Sequence, residues 1–411
     1  MKLKDFNNFA DFKQLETPCY ILDKDKLYNN LICMKNAFSR AWGSNFIIGY
    51  SFKTNALPWV LSWMKKQGVY AEIVSAPEFQ LSQKIGFPIT NIILNGPYKG
   101  FDAMRSLLEG GGIVNLDSFH EIDWLKKNTP RKAQKWRVGI RINFDLEKCC
   151  PGETIVGNLH SRFGFNFENG SLQKAINELK DIPYVELVGI HSHNSTKTKS
   201  LNIFRESAKK IGYIYSEYLK DYKIKYVDMG GCFFGDKPNA PTFDDYADVI
   251  SKELKVWFNP EHVSLIIEPG AALIASPIQY ICKVIDVKAV LSTCFVGVNG
   301  SLIHIDPQMH GIKFNPDYTV HNSSDDIVER QVVVGFTCIE KDRLAVIEHK
   351  SKLCIDDYVV FSNVGSYTMA LSPLFIQYFP CVYLREKQEY TLIREAWTVS
   401  EYIQKVVYYE K

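Results

Sequence analysis

Phe46-Ile47-Ile48-Gly49-Tyr50-Ser51-Phe52-Lys53-Thr54-Asn55-Ala56 is an apolar run of isoleucines and aromatics that ends at one lysine. It breaks at Thr54-Asn55-Ala56-Leu57-Pro58. The pattern reads as a buried strand, Ile47–Phe52, with Lys53 at its carboxyl end. A lysine held there is expected to be partly desolvated, which disfavours the ammonium; a neutral amine can attack a carbonyl and form a Schiff base. Taken alone, the same lysine reads more readily as a strand-end side chain reaching for solvent.

The strand is the first of a series. Apolar runs recur at Tyr70–Ser75, Ile92–Gly96, Gly112–Asp117, Trp136–Asn143, Val185–His193, Lys225–Gly230 and Val263–Glu268. Helical periodicity fills the intervals, as at Leu57–Gln67, Phe101–Glu109, Ser118–Lys127 and Phe243–Trp257. Near-continuous apolar strands are what a parallel sheet covered on both sides requires. Eight such repeats over about 250 residues predict an α/β fold of the (β/α)8 barrel type. A doubly wound open sheet is the alternative, but no Gly-x-Gly-x-x-Gly follows an early strand.

From residue 278 the rhythm changes. Ile278–Leu291, Ile327–Val334, Arg343–Glu348, Tyr358–Val364, Val382–Leu384 and Tyr390–Ile393 read as short strands separated by turn formers such as Asn299-Gly300 and Asn315-Pro316-Asp317. The expected organisation is a barrel over 26–277 and an all-β domain over 278–411. The N-terminal segment 1–25, which carries the strand Tyr20–Leu22, is expected to contribute to the β domain.

Composition limits the function classes. The 411 residues are 46% hydrophobic and 23% charged, with a net charge of +2. Nothing there points to nucleic acid or an anionic membrane. The opening Met1–Asn8 has no long apolar stretch, and no apolar run reaches membrane-spanning length. The ten cysteines include an adjacent pair, Cys149-Cys150, but no Cys-x-x-Cys. They are expected to be reduced, in a cytoplasmic protein without structural disulfides or metal.

In a (β/α)8 barrel the chemistry sits at the carboxyl ends of the strands. Those ends carry Lys53; Glu72, Ser75 and Glu78; Asn95; Arg141 and Asn143; His191 and His193; Asp228, Gly230 and Gly231; and Glu268-Pro269-Gly270. Each alone has a plain explanation. His191-Ser192-His193 alternates on a strand, so the rings are expected on one face, as packed, hydrogen-bonded histidines or, with Glu268, as metal ligands. Gly230-Gly231 suits a tight turn or a backbone approach to phosphate.

Together the pieces resemble the fold-type III pyridoxal-phosphate decarboxylases, the family of the diaminopimelate, ornithine, arginine and carboxynorspermidine enzymes, whose barrel is shared with alanine racemase. The resemblance runs from about Thr17 to Phe375. It is carried by Tyr50-Ser51-Phe52-Lys53-Thr54-Asn55, Ser75-Ala76-Pro77-Glu78, Arg141-Ile142-Asn143, Arg162-Phe163-Gly164, Gly189-Ile190-His191-Ser192-His193, Asp228-Met229-Gly230-Gly231, Glu268-Pro269-Gly270, Gly335-Phe336-Thr337-Cys338 with Asp342, and Gly365-Ser366-Tyr367.

The resemblance implies pyridoxal 5'-phosphate held covalently by Lys53, with Glu72 beside that lysine. It implies His193 on the face of the pyridine ring, Arg141 near its oxygen side, and Glu268 at its nitrogen. Thr196, Gly230, Gly231, Gly270 and Tyr367 would surround the phosphate. Asp306, His310 and Cys338 would face the substrate, with Cys338 reaching the partner's site in a homodimer with shared active sites. A carboxylate at the pyridine nitrogen stabilises its protonated form and makes the ring a better electron sink. Racemases resembling this fold place an arginine there, so Glu268 argues for decarboxylation.

The chain also departs from the family pattern. Ala271 replaces the arginine of Glu-Pro-Gly-Arg, and Asp306-Pro307 stands where an arginine precedes proline. His310 takes a tyrosine position, Ile339 that of an acid, Cys232 that of a third glycine and Ser195 that of a loop glycine. The lost arginines argue against a distal carboxylate. The expected activity is α-decarboxylation of an amino acid or conjugate with a polar or cationic tail, in polyamine or specialised biosynthesis rather than on diaminopimelate. A racemase of this fold and a decayed cofactor-binding protein are the alternatives.

Overall fold

The computed structural model describes residues 9–235, 239–319 and 326–409; the opening stretch Met1–Asn8 lies outside them. The chain forms two units, Asn29–Leu273 and a second made of Met1–Tyr28 with Ile274–Lys411. The boundary falls inside the helix Lys24–Trp42.

The strands in chain order are β1 (Cys19–Asp23), β2 (Phe46–Ser51), β3 (Tyr70–Ile73), β4 (Ile92–Leu94), β5 (Ile113–Leu116), β6 (Trp136–Asn143), β7 (Phe165–Asn166), β8 (Val185–His191), β9 (Tyr226–Asp228) and β10 (Ser264–Ile267). In the first unit β2, β3, β4, β5, β6, β8, β9 and β10 pair in parallel, and β10 returns to β2. The eight-stranded barrel expected from the apolar rhythm is therefore closed. Helix starts after the strands are chemically marked. Ser75 accepts the Glu78 amide at 3.3 Å, and Ser118 with Glu121 makes a reciprocal capping box.

The barrel interior is layered. Its apolar floor gathers Ile93, Val188, Tyr226 and Ile266, against which Ile47, Tyr70 and Ile113 pack. Tyr226 fits because its neighbours give up their side chains. A Cβ on Gly189 would lie 2.0 Å from the Tyr226 ring, and one on Gly139 would lie 2.2 Å from its hydroxyl. Above this floor the side chains become polar. Arg141, His191 and Asp228 occupy one row of aligned strand positions, and Ser51 aligns with Glu72.

The second unit is built on a sheet with β11 (Ile278–Val290), β12 (Thr293–Val298), β13 (Asp317–Thr319), β14 (Ile327–Val334), β15 (Arg343–Ser351), β16 (Tyr358–Phe361), β17 (Cys381–Glu386) and β18 (Glu389–Arg394). Strand β1 enters it between β11 and β17. Two strands were not readable in the sequence. Strand β12 hairpins onto β11 through a turn in which Leu291 takes φ 53°, so no Asn-Gly or Gly signal marks it. Strand β13 is a three-residue edge directly after Asn315-Pro316, where only a turn was expected.

Gly189→Ala should therefore overpack the barrel floor and lower stability by about 1–3 kcal/mol. Chemical denaturation measures it. Because the clash is with one ring, the loss should be non-additive with Tyr226→Leu.

Candidate active site

Lys53 lies one residue beyond its expected strand, in the 3-10 turn Phe52–Thr54 that follows β2. Its side chain is 37% exposed and its Nζ is 3.1 Å from Glu72 Oε2. The desolvated amine expected from the sequence is replaced by an ion pair. Glu72 itself is buried, and the Ser51 hydroxyl donates to the same oxygen at 2.6 Å. The carboxylate is thus fixed from two sides, and the lysine is drawn to it.

Glu268 follows β10 and is buried. The Asn95 amide donates to its Oε1 at 2.5 Å and to Glu72 Oε1 at 3.1 Å. Glu268 Oε2 is 3.7 Å from both His191 Nε2 and His193 Nδ1. Burial by itself favours the neutral acid, but the polar neighbours His191, His193 and Asp228 outweigh it and hold Glu268 below the usual range. Asp228 moves the other way. Burial first, then the adjacent Glu268 charge and the hydrogen bond with it, push Asp228 well above its ordinary value. The two shifts run in opposite directions, as neighbouring acids in a buried site impose on one another.

Both histidines converge on Glu268, but not as expected. Strand β8 ends at His191, so His193 lies beyond it, and the rings are tilted by 65° with centroids 6.5 Å apart. His193 Nδ1 accepts the Gly231 amide at 3.0 Å. His191 is fully buried, and neither ring nitrogen has a hydrogen-bond partner among the described residues. Burial drives its pKa well below the ordinary value, so the ring is neutral. His191, His193 and Glu268 present ligand atoms within 4.8 Å of one another. The Gly231 amide already occupies the Nδ1 lone pair of His193, which speaks against a metal there.

Arg141 ends up buried through a chain of contacts. Lys99 and Glu121 form a buried ion pair at 2.6 Å, and Glu121 also accepts the Asp117 amide at 2.6 Å. Asp117 in turn bonds Arg141 Nη1 at 3.2 Å, and the guanidinium lies 4.6 Å from the Phe163 ring centroid. Gly230 takes φ 65°, and a Cβ there would lie 2.6 Å from the His193 ring. A Cβ on Gly231 would meet the Glu268 carbonyl at 2.5 Å, and one on Gly270 would meet Thr54 Oγ1 at 2.0 Å. Thr196 is buried, but its hydroxyl donates to Glu153 O at 3.1 Å and meets Thr198 Oγ1 at 3.1 Å. Lys53, Glu72, Asn95, Arg141, His193 and Glu268 line a cavity of about 800 Å³ whose wall also includes Asp145, Glu147, Arg162 and Glu168.

The remaining expected residues belong to the other unit. Asp306 is buried, and its Oδ2 accepts the amides of Gly311 at 3.1 Å and Ile312 at 3.3 Å; exposed His310 is 3.9 Å from its Oδ1. Cys338 is exposed, on a turn wrapped around the buried Asp342, which accepts from Ser301 Oγ, the Leu302 and Thr337 amides and the Thr337 hydroxyl. Tyr367 takes φ 59°. Asn95 was visible at a strand end without a role, and Asn115 and Tyr226 were not singled out. A lone amide in Ile113-Val114-Asn115-Leu116, on the inward phase of a buried strand, was the available signal.

The geometry agrees with what known proteins show. A family model described as pyridoxal-dependent decarboxylase, pyridoxal binding domain, matches residues 25–275, more than half of the chain. The chain belongs to this family of pyridoxal-phosphate-dependent decarboxylases, and its cofactor is pyridoxal 5'-phosphate. It is 25% identical to the diaminopimelate decarboxylase of Methanocaldococcus jannaschii, across 98% of this chain and 96% of that protein. It is 24% identical to the L-glutamyl-[BtrI acyl-carrier protein] decarboxylase of Niallia circulans, across 95% and 94%. A solved diaminopimelate decarboxylase structure from M. jannaschii superposes with a TM-score of 0.85 at 24% identity, covering 97% of this chain and 93% of that one. Among the described residues no helix is long and apolar enough to cross a membrane, and all ten cysteines are free thiols.

The residues present fit the cofactor. The Lys53 amine, the Glu268 carboxyl group and the His193 ring line one cavity, and Gly230, Gly231 and Gly270 pack against His193, Glu268 and Thr54 with no room for a Cβ. The neutral state of His191 carries a stability signature. Its folded pKa is depressed, so as pH falls the unfolded chain takes up this proton first, and stability is lost from about pH 6.5 downward. Denaturation between pH 7 and 5 should show wild type losing up to about 1.4 kcal/mol per pH unit more than His191→Asn.

Proposed function

We propose that this enzyme removes the α-carboxylate of an amino acid, or of a conjugated amino acid, with a polar or cationic tail. The observation that carries the reading is the buried cluster in which Lys53 pairs with Glu72 while Glu268 is held ionised beside it. When bound, pyridoxal 5'-phosphate supplies an electron sink for the pair left on Cα as carbon dioxide departs. Lys53 would hold the cofactor through Nζ, with Glu72 orienting that amine. Glu268 would accept a hydrogen bond from the protonated pyridine nitrogen, its charge favouring the proton there. His193 would lie on the ring face, and Arg141 near its oxygen side. Gly230, Gly231 and Gly270, with Thr196 and Tyr367, would enclose the phosphate. Thr196 would do so by its backbone or after releasing Glu153 O, since its hydroxyl is already engaged. Cys338 would return a proton to Cα, with Asp306 and His310 toward the substrate tail.

Two features support a polar or cationic tail. Ala271 supplies no charge after Gly270. The outer cavity wall sets the carboxyl groups of Asp145, Glu147 and Glu168 against Arg162. The second reading is diaminopimelate itself, favoured by the names of relatives that cover nearly the whole chain. A carbon dioxide release screen over diaminopimelate, ornithine, lysine, arginine, carboxylated polyamines and carrier-conjugated amino acids separates the two. Turnover of diaminopimelate above all others would reject the preference for a tail without a distal carboxylate. The purified enzyme should be yellow, and Lys53→Ala should abolish both the visible band and turnover.

A homodimer with shared sites is also proposed, in a polyamine or specialised pathway. If Cys338 serves the partner's site, mixing inactive Lys53→Ala and Cys338→Ala subunits should restore activity. Random pairing gives about half heterodimers, each with one intact site, so about a quarter of wild-type activity should return. No recovery after demonstrated subunit exchange would assign Cys338 to its own chain or to no catalytic role.

A further inference from the structure

We propose that Asn95 is a positioning residue whose amide ties Glu72 to Glu268 and fixes where both carboxyl groups stand, at the end of a one-way hydrogen-bond relay that starts at Tyr226. The inference rests on the roles proposed above for Lys53 and Glu268.

The relay is read from its donors. The Tyr226 hydroxyl donates to Asn115 Oδ1 at 2.8 Å. With its oxygen taken, Asn115 must offer its NH2 group elsewhere. It donates to Asn95 Oδ1 at 2.9 Å and lies 3.3 Å from Asp228 Oδ2. That leaves Asn95 one orientation, with both N–H bonds aimed at carboxylates: Glu72 Oε1 at 3.1 Å and Glu268 Oε1 at 2.5 Å. Turning this amide over would press its oxygen against Glu268 Oε1. Asn95 and Asn115 are 3% and 1% exposed, so water does not compete for these bonds. Burial also keeps the Tyr226 phenol protonated, so the relay has one direction. Tyr226 is seated for this task, because Gly139 and Gly189 yield the space its ring fills.

The consequence concerns charge. Two carboxylates facing each other in a buried site raise each other's pKa, and each hydrogen bond to the ionised form lowers it. Asn95 donates one bond to each acid. Glu72 is thereby aimed at the Lys53 amine, and Glu268 is fixed where a ring nitrogen would meet it. One amide also sets the separation of the two acids, and with it the span between the covalent anchor and the nitrogen partner.

The experiment follows cofactor retention with pH, by visible absorbance of the holoenzyme and by pyridoxal 5'-phosphate binding after its removal. Three variants isolate the donors. Asn95→Asp keeps the shape but replaces a donor by an acceptor, Asn95→Leu keeps the bulk without donors, and Tyr226→Phe removes only the hydroxyl. Loss of bonds to the ionised forms raises the carboxyl pKa, so retention should fail at higher pH. The acid midpoint should rise by about one pH unit in Asn95→Leu, further in Asn95→Asp, and less but in the same direction in Tyr226→Phe. Affinity for the cofactor should fall about tenfold or more in both Asn95 variants. Folded variants with the wild-type midpoint and affinity would overturn the relay, as would Asn95→Asp retaining cofactor better than Asn95→Leu. If neither Asn95 variant folds, the Tyr226→Phe midpoint decides. A wild-type chain that shows no Lys53-dependent absorbance overturns the functional reading itself, and the relay with it.

Discussion

Asp228 and Glu268 are interacting acids in one buried site, and each disfavours a charge on the other. Most of the polar architecture around them answers that constraint. A buried carboxylate without donors costs several kcal/mol, so Glu268 must be surrounded by groups that donate or can be polarised. Asn95 supplies an N–H, and two imidazoles stand at 3.7 Å. Glu72 meets the same demand with Ser51, Lys53 and the second Asn95 proton. The site is a set of acids made tolerable by donors, and Lys53 is its most exposed member, with His193 partly exposed.

The barrel makes this affordable by separating two layers. Its floor is apolar and plugged by Tyr226, while the strand ends above it carry the titratable groups. The floor gives rigidity, so the donors above are fixed before any ligand arrives. Pre-positioned dipoles stabilise a charge without reorganising, which is why such a layer suits a reaction that moves charge. The same rigidity explains the glycines beside Tyr226, since the ring and two side chains cannot share that space.

Several motif residues also serve their own loops. The Thr196 hydroxyl joins the loop after β8 to Glu153 O. Asp306 closes its own turn through two backbone amides, and Asp342 shapes the turn that displays Cys338. Such residues are constrained by backbone geometry as well as by chemistry. A motif position is therefore a mixed signal, and its hydrogen-bond partners show how much of it is left for a ligand.

The local sequence determined the eight-fold strand–helix alternation, because buried parallel strands must be apolar on both faces and helices must be amphipathic. It also determined which strand ends carry Lys53, Glu72, Arg141, His193 and Glu268, since polar residues terminating apolar runs are visible by position alone. It did not reveal strand β12, whose turn relies on Leu291 at a positive φ, nor the loss of the expected desolvation at Lys53. Only the closed barrel decided which groups meet. Asn115 and Tyr226 lie on two strands and Asn95 directly after a third, up to 131 residues apart in sequence, and their hydrogen-bond directions arise only when ring closure sets those strands across one interior. Ionisation was decided there too, because the charge state of Asp228, His191 and Glu268 depends on distances between strands, which no single strand encodes.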